Sequence, residues 1–252
     1  MNLQNSLNRP KQRNAFSINL VTEFENSLEN VRNDSGIRVV IIRSLAPGIF
    51  CAGADLKERL TLTPDQVSAF VTRLRALMSN VENLTVPVIA ALDGIALGGG
   101  LELGLACDIR TASTSAKLGL VETKLAIIPG AGGSQRLARL INPSLAKELI
   151  YSARILDGSE ALNIGLVNHA VKQNTEGDAA FNKALDVARE IIPNGPFAVK
   201  MAKDAITKGL DLDLKTALKY EEACYAKIIP TKDRIEGLKA FNEKRTPKYM
   251  GQ

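Results

Sequence analysis

Residues 86–112 read VPVIAALDGIALGGGLELGLACDIRTA, and this stretch decides the fold. Its first seven residues, Val86 to Leu92, are short, apolar and rich in β-branched side chains, the pattern of a strand buried on both faces. Gly98-Gly-Gly100 leads into Leu101 to Cys107, a run without a solvated stripe that reads as a buried helix, and Ile109-Arg-Thr-Ala112 reads as another short strand. Upstream, Arg38 to Ser44 (RVVIIRS) repeats the buried-strand pattern. Between the two strands, Thr63-Pro-Asp-Gln supplies a helix start, and Phe70, Leu74, Leu77, Met78 and Val81 recur at helical spacing. Strand, helix, strand is a βαβ unit, so the first half is α/β.

From about Ser144 the character changes. SLAKELIYSA, SEALNIGL, EGDAAFNKALDVAREII, PFAVKMAKDAITKGL and LKTALKYEEACYAKI are successive amphipathic segments parted by Gly, Pro or Asp. No internal repeat of fixed period and no low-complexity tract occurs. The simplest organisation is a core over residues 1–192 with a helical extension over 193–252, and such an extension commonly serves as lid or subunit contact.

Composition removes several classes of function. The chain is 45% hydrophobic and 23% charged, which suits a globular protein rather than a disordered one. No stretch reaches the ~18–20 apolar residues a membrane span needs, and the start, MNLQNSLNRPKQRN, has no apolar core for a secretory signal and no Arg/Ser face of a transit peptide. The three cysteines, Cys51, Cys107 and Cys224, form no C-x-x-C pair, so neither a disulfide framework nor a thiolate metal site is expected. His169 is the only histidine and sits in a strand-like apolar run, which excludes His-dependent triads and multi-histidine metal sites. Phosphate-loop and nucleophile-elbow motifs are absent, and Gly130-Ala-Gly-Gly-Ser-Gln135 lacks the third glycine of a dinucleotide fingerprint. A net charge of +5 suits a small anionic ligand better than a dedicated nucleic-acid surface.

Three glycine-bearing segments should lie at strand ends, where open α/β sheets bind ligands: Phe50-Cys-Ala-Gly-Ala-Asp55, Asp93 to Glu102, and Ile128-Pro-Gly-Ala-Gly-Gly133. The glycine run before a helix presents unpaired amides that can hold an oxyanion, an interaction worth ~3–4 kcal/mol per donor in acyl-transfer sites. Glu102, in the first turn of that helix, reads on spacing alone as an ordinary dipole-complementing acid. Its neighbours Leu101, Leu103, Leu105 and Ala106 argue otherwise, because they leave it buried. Glu122 reads equally as a loop acid balancing Lys124 or as a second acid facing the same pocket, and the glycine runs read equally as tight turns.

At these residues the sequence resembles the enoyl-CoA hydratase/isomerase (crotonase) family, from about Asn8 to Tyr249. The strings that carry the resemblance are NRPKQRNAF, FCAGADLKE, DGIALGGGLELGLACDIR, KLGLVETKLAIIPGAGGSQRL and RIEGLKAFNEKRTPKY. It implies a ββα spiral core, oxyanion-hole amides at Ala54 and Gly99, and catalytic glutamates at Glu102 and Glu122. Retention of both acids is the pattern of the family's hydratases, which add water syn across the double bond of an enoyl-CoA thioester. No metal or redox cofactor is implied, coenzyme A being part of the substrate. The resemblance also implies ligand contacts at Ala52, Asp55, Leu56, Lys57, Gly130, Gly133, Phe241, Lys244 and Lys248. Each of these lysines, taken singly, reads as well as surface charge.

Within the family, FCAGADLKER, LVETKLAIIPG, EEACYAK and IPTKDRIEGL resemble the methylglutaconyl-CoA hydratase branch, which acts in leucine breakdown and is also described as binding AU-rich RNA. A straight-chain enoyl-CoA hydratase of fatty-acid β-oxidation is the near alternative, and an RNA-binding protein the alternative of another class. The first-helix stretch Val21 to Arg32 carries Glu23, Glu25 and Glu29 against Arg32 alone, so weak or no RNA binding is expected there. The resemblance further implies a homotrimer or a dimer of trimers, placed in the mitochondrial matrix or, in a bacterium, the cytoplasm. MNLQNSL reads as a cut-short strand pair that leaves an exposed sheet edge.

Overall fold

The computed structural model describes residues 2–252, and for residues 2–5 only the backbone. Strand β1 (Asn2–Leu7) is followed by a 3-10 turn (Pro10–Gln12) and helix α1 (Ile18–Asn33). The chain then repeats a strand–strand–helix unit. Strands β2 (Val39–Ser44) and β3 (Ile49–Cys51) precede α2 (Leu56–Arg59) and α3 (Pro64–Glu82), and β4 (Val88–Leu92) and β5 (Ile95–Leu97) precede α4 (Gly99–Ala106). In the third unit β6 (Ile109–Ser113) and β7 (Lys117–Gly119) lead through a 3-10 turn (Glu122–Leu125) to α5 (Gly133–Leu140) and α6 (Pro143–Ser152). Short strands β8 (Leu156–Asp157) and β9 (His169–Val171) flank α7 (Gly158–Asn163), and four helices complete the chain: α8 (Ala179–Ile191), α9 (Pro196–Gly209), α10 (Leu214–Ile228) and α11 (Lys232–Asn242).

Each unit gives its first strand to one sheet and its second strand to another, so the sheet orders are β1-β2-β4-β6-β9 and β3-β5-β7-β8. Neighbours run parallel except β7 and β8. This is the ββα spiral that the family resemblance implied. Asn2–Leu7 supplies one strand at the edge of the larger sheet, in parallel register with β2 from Asn2↔Val39 to Leu7↔Ser44.

Both faces of the larger sheet are covered, which is why β2 and β4 are apolar at consecutive positions. Alternate side chains serve two cores. Val39, Ile41, Ile89 and Ala91 pack against Phe181, Ala184, Val187 and Ala188 of α8. Val40, Ile42, Val88 and Ala90 face inward to the main core with Phe24 and Leu28 of α1 and Leu74, Leu77 and Met78 of α3. Helix α3 starts in a reciprocal capping box between Thr63 and Gln66. Helix α8 has no side-chain cap of its own. The carboxylate of Asp93, in the β4–β5 corner, accepts from the amides of Ala180 (2.7 Å) and Phe181 (3.0 Å) instead, which fastens α8 to the spiral.

The chain between α8 and α9 is a short break at 192–195, beyond which α9 to α11 are amphipathic, as their sequences suggest. They are tied back to the spiral by polar contacts. Arg38 donates to the carbonyls of Ile192 (2.9 Å) and Tyr249 (3.1 Å), and Lys203 donates to Val86 O (3.0 Å) and pairs with Asp108 (2.7 Å).

Helix α4 enters the junction of the sheets at very close range. A Cβ on Gly100 would lie 2.1 Å from the carbonyl oxygen of Cys51 in β3, whereas one on Gly104 would meet only methyls of Leu92 and Leu101, at 3.7 to 3.9 Å. Gly100→Ala should therefore cost about 2–3 kcal/mol in urea unfolding, while Gly104→Ala should be neutral or stabilising by up to about 1 kcal/mol. Equal effects of the two changes would contradict this account of α4.

Candidate active site

Three backbone segments, each leaving a strand of the smaller sheet, converge on one cavity of about 610 Å3. Ala52, Gly53 and Ala54 follow β3, Gly98 and Gly99 follow β5, and Val121 to Ala131 follow β7. Helix α3 adds Val67, Val71, Leu74 and Arg75.

Two amides in this wall are free to donate. Ala54 forms an isolated parallel bridge with Phe16, in which Phe16 N donates to Gly53 O (2.8 Å) and Asp55 N to Phe16 O (2.9 Å). That pattern turns the N–H of Ala54 itself away from Phe16. Gly99 is the first residue of α4, so its N–H has no acceptor within the helix. Gly98 makes the turn possible at φ 50°, in the left-handed region, and a Cβ there would lie 3.2 Å from Glu122 Oε1.

The two glutamates meet in the same cavity but in different surroundings. Glu102 is 2% exposed, on the first turn of α4, and its Oε1 accepts from the amides of Ala131 (2.8 Å) and Gly133 (2.7 Å). Burial raises its pKa, opposed by those two amides and by the positive charges of Arg136 and Arg75. Glu122, on the 3-10 turn after β7, has no such pair of donors, and its Oε2 is buried without a hydrogen-bond partner among the described residues. Burial, aided by the charge of Glu102, pushes its pKa up to about 7. One acid is thus held in place by backbone donors, and the other is set to carry a proton near neutral pH.

Of the ligand contacts expected from the sequence, Ala52, Leu56 and Gly130 line the cavity with Ala54, Gly99 and the two glutamates. Gly133 acts through Glu102 rather than as open wall, and Asp55 caps α2 by accepting from Glu58 N (3.3 Å). Lys57 is exposed beside the cavity but not part of its wall. Phe241, Lys244 and Lys248 are not brought to this cavity by their own chain. Phe241 is 83% exposed at the end of α11, and Lys248 borders a separate surface depression with Lys232 and Arg245.

Two cationic wall residues were not anticipated. Arg75 lines the cavity and donates from Nε to Gly130 O (3.0 Å), steadying the loop that carries the Ala131 amide. Arg59, the last residue of α2, also lines it, with its guanidinium carbon 5.7 Å from the centroid of the Phe70 ring. A four-residue helix has no periodicity from which the direction of Arg59 could be read. Arg75 belongs to a solvated flank of α3 in the sequence pattern.

The enoyl-CoA hydratase/isomerase family profile matches residues 3–252. The mitochondrial methylglutaconyl-CoA hydratase of Homo sapiens is 58% identical over 246 residues, which cover 98% of this chain and 73% of that protein. Human enoyl-CoA hydratase domain-containing protein 2, also mitochondrial, is 52% identical over 98% of this chain and 84% of its own length. The crystal structure of an enoyl-CoA hydratase from Bacillus anthracis superposes with a TM-score of 0.96 at 50% identity, covering 100% of this chain and 96% of that one.

The raised pKa of Glu122 has a stability consequence. An ordinary glutamate titrates near 4.5 and the folded one at about 7, so between those values the folded state binds a proton that the unfolded chain has released. The resulting stabilisation is fully present below the unfolded value and is lost as pH rises through about 7. Glu122→Gln should therefore raise the melting temperature more at pH 8 than at pH 5. In carbon-detected NMR the Glu122 carboxyl should titrate near 7 and move toward the ordinary range in Glu102→Gln. A midpoint unchanged by that substitution would remove the coupling between the two acids.

Proposed function

The chain belongs to the enoyl-CoA hydratase/isomerase family, and we propose that it hydrates 3-methylglutaconyl-CoA in leucine breakdown. The observation that carries hydration is the pair of unlike carboxyl groups in one cavity with two unpaired amides. The thioester oxygen would sit on the amides of Ala54 and Gly99, which stabilise it as negative charge develops. Water would be placed between the glutamates. Glu102, anchored as a carboxylate by the Ala131 and Gly133 amides, takes a proton from the water as it attacks Cβ. Glu122, protonated near neutral pH, gives a proton to Cα from the same face, so addition is syn.

The 58% identity to the human methylglutaconyl-CoA hydratase supports the branched substrate over a straight-chain enoyl-CoA. Mitochondrial names among the relatives support a matrix location in a eukaryote, and a 49% identical hydratase/isomerase homologue in Bacillus subtilis supports the cytoplasm in a bacterium. Exposed Leu210 at the end of α9, Leu214 on α10 and Phe241 on α11 support assembly into a homotrimer or a dimer of trimers, through which Phe241, Lys244 and Lys248 would reach a neighbour's coenzyme A. An RNA-binding role finds no support on α1. Glu25 is paired with Arg73, and the one basic residue of that face, Arg32, is held by Glu29 and by Asn80. A labelled AU-rich oligonucleotide should show no salt-dependent shift, and a marked shift at moderate ionic strength would overturn that expectation.

The direct assay is loss of enoyl-thioester absorbance. Wild type should consume 3-methylglutaconyl-CoA faster than crotonyl-CoA, and Glu102→Gln and Glu122→Gln should each lower kcat by about 10²–10⁴-fold. Faster turnover of crotonyl-CoA would favour the straight-chain reading. Inactivity of folded wild type on both would remove the hydratase assignment.

A further inference from the structure

The wall of the cavity formed by α2 and α3 is apolar at Val67, Val71 and Leu74, yet it contains Arg59. The Nε of Arg59 is buried and has no hydrogen-bond partner, and no carboxylate of the described residues lies within ion-pair distance of its head group. Arg43 also has a buried Nε without a partner, but its guanidinium lies 3.7 Å from the centroid of the Phe181 ring and outside this cavity, whereas three other partly or fully buried arginines are matched. Arg136 pairs with Glu82, Arg73 with Glu25, and Arg110 donates to the carbonyls of Leu166, Gly104 and Cys107. A buried donor left unmade is costly, and a guanidinium in an apolar wall is a strong, directional receptor for a carboxylate. The Phe70 ring beside it restricts where the head group can lie.

Building on the hydratase reading, we propose that Arg59 determines specificity by pairing with a carboxylate at the far end of the acyl chain. The substrate class is then the monothioester of an α,β-unsaturated dicarboxylic acid. The thioester end is fixed on the Ala54 and Gly99 amides and the double bond lies between the glutamates. The acyl tail must continue along the cavity wall, and Arg59 is the cation in that wall without an acceptor. Arg75 is already engaged with Gly130 O. The phosphates of coenzyme A are the other source of anionic oxygen in such a ligand, and the test separates the two.

Glutaryl-CoA and butyryl-CoA share the coenzyme and differ in the terminal carboxylate, and neither can be hydrated. Measured as competitive inhibitors, glutaryl-CoA should bind wild type at least about tenfold more tightly than butyryl-CoA. Arg59→Met should bring the two to parity, and Arg59→Lys, which keeps the charge but loses the planar fork, should give an intermediate ratio. In turnover, the kcat/KM ratio of 3-methylglutaconyl-CoA to crotonyl-CoA should fall by about 100-fold in Arg59→Met. Equal weakening of both inhibitors would assign Arg59 to the coenzyme or to packing and overturn the proposal, as would a wild type that does not distinguish them. If Arg59→Met fails to fold, the Lys variant and the wild-type preference decide the question. Crotonyl-CoA hydration by wild type tests the parent reading separately, because glutaryl-CoA preference requires no chemistry.

Discussion

Helix α4 starts where a side chain would not fit, and the rest of the site depends on that contact. With Gly100 against the carbonyl of Cys51, the N-terminus of the helix is driven into the seam between the two sheets. The amide of Gly99 then opens toward the segment leaving β3, which carries Ala54, and Glu102 falls one turn below, within reach of the Ala131 and Gly133 amides. A larger residue at position 100 would move all of these groups together. The apolar character of α4, every residue of which is buried, holds the helix there despite the cost of placing an acid inside it.

The two acids show how one cavity assigns different tasks to the same functional group. Both are raised by burial, but Glu102 receives two backbone donors and the field of two arginines, whereas Glu122 has an oxygen with no donor and the negative charge of Glu102 nearby. The division follows from backbone placement rather than residue type, since the loop from Pro129 to Gly133 faces only one of them. Pairs of titratable groups pushed apart by their surroundings are the usual basis for acid and base roles at neutral pH.

Much of this was legible in the sequence, for reasons that differ by element. Strands β2 and β4 were readable because burial on both faces leaves no polar position, and α3 because its apolar residues recur at helical spacing over 19 residues between a capping box and Asn83. The smaller sheet was not readable as a sheet. Strands β3, β5 and β7 have three residues each, too short for a period-2 pattern, and they lie among the glycines that mark turns. Glu102 stood out because its neighbours allow no solvated face. Glu122 gained its meaning only from the resemblance to a family, and Arg59 and Arg75 from neither, because their directions depend on how α2 and α3 sit against the spiral.

The alternation of strands between sheets also bears on how the protein comes into being. Each turn of the spiral delivers one stretch of cavity wall, first at residues 52–54, then at 98–99, then at 121–131. A nascent chain emerging from the ribosome would therefore hold both oxyanion amides and Glu102 after its second turn, but neither Glu122 nor the two amides that receive Glu102 until a loop made about thirty residues later. Helix α8, fastened to the second turn through Asp93, arrives later still. Synthesis thus finishes the acid–base pair late, with the third turn of the spiral.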